Sequence, residues 1–205
     1  MFARCSVPSV REAEWKRLVR PLLDDPEQWA FRGSLCYRRP ISRFLCGALV
    51  ERSGSSKASY IWRVTVPLFI PHDVIVLSWS QRVGDGAHRI DDTDEDTLRS
   101  AISTALLDIE DESAALRRLG SIGVGPNIHV EETAAHALIL LGDTTSAAQR
   151  LGVNDADPDD SQWVHDDIAR MRGVANLLDA RGRDAAIAQL DRWVDQTSAA
   201  LGITR

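Results

Sequence analysis

The most regular alternation of apolar and polar side chains runs from Tyr60 to Ser80, YIWRVTVPLFIPHDVIVLSWS. From Trp62 the even positions Trp62, Val64, Val66, Leu68 and Ile70 are apolar, while the odd positions mix Arg63, Thr65 and Pro67 with Phe69. A period of two is that of a half-buried strand. Pro71-His72-Asp73 breaks the pattern and Val74 to Trp79 resumes it, so the stretch reads as the central pair of a meander. Its even face, with Trp62, is expected in the core, and its odd face, with Arg63, is expected outward and open to function. Pro67 has no amide hydrogen to give a ladder, which puts its strand at an edge there or calls for a bulge.

Other elements follow from the same reading. Glu12 to Leu23 spaces Trp15, Leu18, Val19, Leu22 and Leu23 at helical intervals, with Pro21 marking an end or a break. Trp29 to Arg38 is expected as a first strand and Ile41 to Glu51 as a second, in which Phe44, Cys46, Ala48 and Val50 share one face. Ser53 to Lys57 is the turn that closes a hairpin onto the Tyr60 strand. After the loop at Gly84-Asp85-Gly86, an acidic run precedes a helical stripe from Leu98 to Ile109, capped by Thr93 or Asp94 and extended by Leu116 and Leu119 to Gly120.

Beyond the glycine-rich loop 120–126 the texture changes to Ala/Leu-rich helices ending at glycine. Glu131 to Leu141, Thr145 to Leu151, Gln162 to Ala180 and Asp184 to Leu201 are expected helices. The segments LILLGDTTSAAQRL (138–151) and NLLDARGRDAAIAQL (176–190) share a Leu pair, a turn with Gly, Ala-Ala and a final Leu. That spacing is similar to tetratricopeptide-like helical hairpins. The fold class is therefore α+β, an antiparallel sheet packed on helices and followed by C-terminal antiparallel helical hairpins. Residues 1–125 are expected as the sheet domain and 126–205 as the helical-hairpin region.

Composition narrows the partners. A chain of 205 residues with 44% hydrophobic content holds a real core. Met1 to Trp15 has no apolar run of the secretory kind and no stretch approaches a membrane-spanning length, so a cytoplasmic location without membrane contact is expected. Cys5, Cys36 and Cys46, odd in number and without C-x-x-C spacing, fit buried reduced thiols. Residues 1–90 carry 14 Lys+Arg against 8 Asp+Glu, and the remainder 10 against 22. With a pI near 5.4 the whole chain lacks the basic footprint of a dedicated nucleic-acid binder.

The order of a first helix, WAFRGSLCYRR, a hairpin ending in YIWRVTVPLFIP, a tryptophan strand, an acidic helix and LRRLGSIG resembles a family of uncharacterised bacterial α+β domains over residues 12–125. The resemblance implies the fold, and it implies a setting in bacterial conflict and immunity loci.

Motifs for chemistry are sparse. Asp155-x-Asp157-x-Asp159 starts like a calcium loop, but Asp160 stands where the turn glycine belongs, Pro158 takes the fourth position and Asp166 the twelfth. His129 and His136 share a helical face with no third ligand spaced to join them, and His165 lies beside Asp166 and Asp167, so surface or helix-terminal histidine is expected and no metal or cofactor is implied. No nucleophile elbow or phosphate loop is present, and no catalytic residue is assigned. The candidate binding residues are Arg38, Arg39, Arg43 and Arg63 with Tyr60, arginine and aromatic types that dominate interface hot spots and also grip nucleic acid. The expected function is a non-catalytic protein-binding module, an immunity or adaptor protein of a bacterial conflict system. Its alternatives are a metal-dependent nuclease-like enzyme using strand-end carboxylates such as Glu51 and Asp73, and single-stranded nucleic-acid binding through the arginine face. Oligomeric state is not legible in these patterns.

Overall fold

A computed structural model of the protein describes residues 11–52, 58–84, 88–89, 95–107, 109–152, 157 and 159–203. The fold is α+β: an antiparallel sheet with helices, followed by C-terminal helical hairpins. Two compact units divide the chain, one of residues 1–68, 72–110 and 197–205, the other of residues 69–71 and 111–196. The expected turn at Ser53 to Lys57, the Thr93 and Asp94 caps, Cys5 and Asp155 lie outside the described residues.

The first unit opens with α1 (Glu12–Val19), which buries Trp15, Leu18 and Val19, and passes through a 3₁₀ turn at Arg20–Leu22 with Pro21 near its start. The sheet contains β1 (Trp29–Arg32), β2 (Leu35–Arg38), β3 (Phe44–Arg52), β4 (Ala58–Pro67), β5 (Gln81–Arg82) and β6 (His88–Arg89), all paired antiparallel. The run Trp29 to Arg38, expected as one strand, is a hairpin. Gly33 takes φ +57°, a left-handed value suited to the tight turn, and its amide donates to Glu12 Oε2 at 2.8 Å. Lys16 and that Gly33 amide together hold the Glu12 carboxyl below its ordinary range.

β3 and β4 form the longest ladder, from Phe44 opposite Pro67 to Arg52 opposite Ser59. Val74 to Trp79 is not a strand: β4 pairs instead with the short β5, and Ser80 Oγ takes the Thr65 amide at 3.1 Å. Past Thr65 the edge reaches Pro67, which offers no amide for a further ladder. The face assignment also changes. Ile61, on the odd face, is fully buried with Cys36, Ala48 and Val50 against α1 and α2 (Glu95–Leu107). The even face carries buried Val64 and Val66 but a half-buried Trp62. The expected continuation of α2 to Gly120 is a separate helix, α3 (Glu112–Gly120), started afresh by Asp111, whose carboxylate accepts from the Ala114 amide at 2.7 Å.

The second unit is helical, with α3, α4 (Ile128–Leu141), α5 (Thr144–Leu151), α6 (Gln162–Arg181) and α7 (Arg183–Ala200), whose last residues from Thr197 group with the first unit. Its centre is α4, buried without a break from Glu131 to Ile139 and packed by α3, α5 and α6. A helix enclosed on all sides is expected to be apolar all round. This one carries Glu131, Glu132, Thr133 and His136 inside that run.

Candidate functional site

A groove of about 410 Å³ opens in the first unit. Its lining comes from Leu22 to Asp25 with Gln28 and Trp29, from Arg38 at the end of β2, and from Ser103, Leu106, Leu107 and Ile109 around the C-terminal end of α2. Leu22, Leu23, Trp29, Leu106, Leu107 and Ile109 supply its apolar side chains, and Asp24, Asp25, Gln28, Arg38 and Ser103 its polar ones, so the surface is mixed. Asp25 is committed locally, accepting from the Glu27 amide and from Gln28 Nε2. Asp24 and Arg38 are exposed. Leu107 is 77% exposed, an apolar side chain held in water at the edge of the groove.

Of the five arginine and tyrosine residues singled out in the sequence, Arg38 lines this groove. The others serve elsewhere. Arg39 donates from its amide to the Gln28 carbonyl and from its guanidinium to the Glu27 carbonyl. Arg43 is half-buried where its carbonyl receives the Leu68 amide at 2.9 Å. Arg63 does not stand on a solvated face: it lies opposite Ala48 on the helix-covered side and donates to the Thr104 carbonyl of α2 at 3.1 Å and to Gln81 Oε1. Tyr60 is covered by the Arg82 guanidinium, 3.7 Å from its ring centroid, and the same guanidinium lies 4.9 Å from the Trp62 ring. Trp62 Nε1 donates to Glu51 Oε2 at 2.8 Å, which occupies one of the carboxylates considered for strand-end chemistry.

The reactive side chains of the sheet are quiet. Burial pushes the Cys36 thiol up to about 12, far from the thiolate needed for nucleophilic work. Cys46 is half-buried, and among the described residues neither thiol is in a disulfide.

The second unit holds a polar cluster that the sequence reading did not assemble. On α4, Glu132 is fully buried and receives Arg170 of α6 in a bidentate pair, Nε to Oε1 at 2.7 Å and Nη2 to Oε2 at 2.9 Å. The same guanidinium also bonds Asp167 Oδ1, and Asp167 Oδ2 lies 3.7 Å from His129 Nδ1. Burial pushes Glu132 up to about 7, against the pull of Arg170. Next to it, Glu131 is held by Arg150 of α5 at 2.9 Å and by the Gly125 amide at 2.8 Å, and Arg150 bonds the Ile122 carbonyl, so the glycine-rich loop is tied down. His136, expected at a surface or helix end, is fully buried, its ring 6.4 Å from Phe69 and 5.6 Å from Trp193 by centroids. The signal that marks the cluster is an adjacent Glu pair in the most apolar helix. Starting that helix at Glu131 reads the pair as first-turn acids; the structure starts it three residues earlier, behind Asn127, whose side chain accepts from the His129 amide.

In the 157–160 loop the Asp157 carboxylate accepts the Asp159 amide and the Asp160 carboxylate accepts the Asp157 amide, turn bonds rather than a ligand shell. No helix among the described residues is long and apolar enough to cross a membrane. No family model, curated protein or solved structure matches this chain.

Proposed function

We propose that the protein is a non-catalytic binding module whose first-unit groove receives an apolar segment of a partner protein, in an adaptor or immunity role. The observation that carries this reading is the groove itself: several apolar side chains in its lining, the 77% exposed Leu107 among them, and the charged residues Asp24 and Arg38. Its volume suits one or two anchoring side chains, and its mixed lining offers polar groups beside the apolar ones to orient what binds. Covering Leu107 and filling the groove with one large apolar anchor contributes about 1.5–3 kcal/mol per buried side chain, before the cost of association. Arg38 adds direction, favouring an acidic residue beside the anchor.

Selection of displayed twelve-residue peptides on the full-length protein tests this. Enriched sequences are expected to carry an aromatic or large aliphatic anchor near an Asp or Glu. Leu107→Asp, a surface change that leaves the fold intact, is expected to weaken their binding by about 10-fold or more. If selection on the Leu107→Asp variant enriches the same peptides with equal affinity, the groove is not the binding surface.

A further inference from the structure

We infer that His129, Glu132 and Asp167 form a binding site for a divalent transition-metal ion of the zinc type. The inference rests on a cluster in the second unit and is independent of the groove. One ligand atom from each residue lies within 4.8 Å of the others, His129 and Glu132 one turn apart on α4 and Asp167 on α6. An imidazole with two carboxylates is the nitrogen–oxygen set that zinc and its neighbours take.

A second observation points into the same gap. Asp167 is only 5% exposed, yet its Oδ2 has no hydrogen-bond partner among the described residues. It faces His129 Nδ1 at 3.7 Å, too far for a hydrogen bond. An ion about 2.1 Å from each of two ligands separates them by roughly 3.4 Å at a tetrahedral angle and slightly more at a wider one. The gap thus has the width that such an ion spans.

Charge argues in the same direction. Two carboxylates are buried here against the single guanidinium of Arg170, and a buried uncompensated charge is costly. Arg170 need not leave, because a carboxylate oxygen that accepts an N–H still has a lone pair for a metal. Arg170 would then orient both ligating carboxylates, as outer partners do in metal sites. Three protein ligands leave one coordination position for water or another ligand.

The test uses untagged full-length protein stripped with a chelator, then titrated with Zn²⁺ against a chromophoric competitor and with Co²⁺ followed by its visible absorption. The wild type is expected to bind one equivalent. His129→Gln and Asp167→Asn are expected to lose stoichiometric binding, and Arg170→Gln to weaken it about 10–100-fold. His165→Gln, on α6 but outside the cluster, is expected to bind as the wild type does. His129→Gln changes a partly exposed residue and carries the test if Asp167→Asn does not fold, as circular dichroism will show. Absence of a stoichiometric site in the wild type, or binding unaltered in His129→Gln, overturns the assignment.

Discussion

His136 shows how a single buried residue shapes stability. Burial holds it down to about 3 from an ordinary value of 6.5. Because the native value lies below the unfolded one, the unfolded chain takes up the proton first as pH falls; the stability is complete above about 6.5 and is lost progressively toward 3. Glu132 has the opposite sign: raised to about 7 from 4.5, it makes the native state take the proton first between those values, so acidification adds stability there. Total stability mixes the two, but the difference from a His136→Phe variant isolates the imidazole. Urea unfolding in metal-free buffer at pH 7.5 and pH 5 is expected to show the wild type losing roughly 2 kcal/mol more than the variant. Parallel losses in the two proteins would place the ring outside the core.

Gly47 makes a steric argument at the same scale. A methyl group there would lie 1.9 Å from the Cys36 carbonyl oxygen and 2.8 Å from Tyr37 Cα, both backbone atoms of β2. The strands would have to separate, so Gly47→Ala is expected to cost about 3 kcal/mol in chemical denaturation. A midpoint matching the wild type would contradict the pairing of Gly47 with Tyr37.

Among the elements, α4 depends on how it ends. Gly142, at φ +94°, donates to the Ile139 carbonyl while the Asp143 amide reaches Leu138, and Arg183 donates at 2.9 Å both to that Ile139 carbonyl and to the Leu140 carbonyl. A side chain at Gly142 would meet only the Arg183 guanidinium, at 3.8 Å, so conformational strain decides the outcome rather than space. Gly142→Ala is expected to destabilise the second unit by about 1 kcal/mol, read as a lower thermal midpoint.

The helices from α4 onward were legible because glycine punctuates each apolar stripe, and the β3–β4 hairpin because both strands alternate. Gly33-Ser34 was not read as a turn because Phe31, Leu35 and Tyr37 keep the same parity across it. Val74 to Trp79 alternates like a strand, but pattern does not supply a partner edge, and Ser80 already occupies the Thr65 amide. The polar cluster escaped for a different reason: Glu132 and Arg170 meet only when two helices pack, a pairing for which linear spacing carries no signal. The groove was legible only through Arg38, since its lining converges from three separated stretches.

At the level of the whole molecule, the two units bury their own apolar sets and carry different kinds of polar feature. The first has a core of Trp15, Leu18, Val50, Ile61 and Ile102 and leaves a groove of mixed lining at its surface. The second, with Ala135, Ile139, Leu151, Met171 and Leu190 buried, encloses carboxylates and a histidine. The central claim, that the groove is where a partner segment seats, is tested most directly by amide and indole chemical-shift mapping of the ¹⁵N-labelled full chain with a selected peptide. Perturbations are expected to gather at residues 22–29, including the Trp29 indole, at Arg38 and at residues 103–109. Shifts confined to α6 and α7, or to Tyr60 and Arg63, would contradict it.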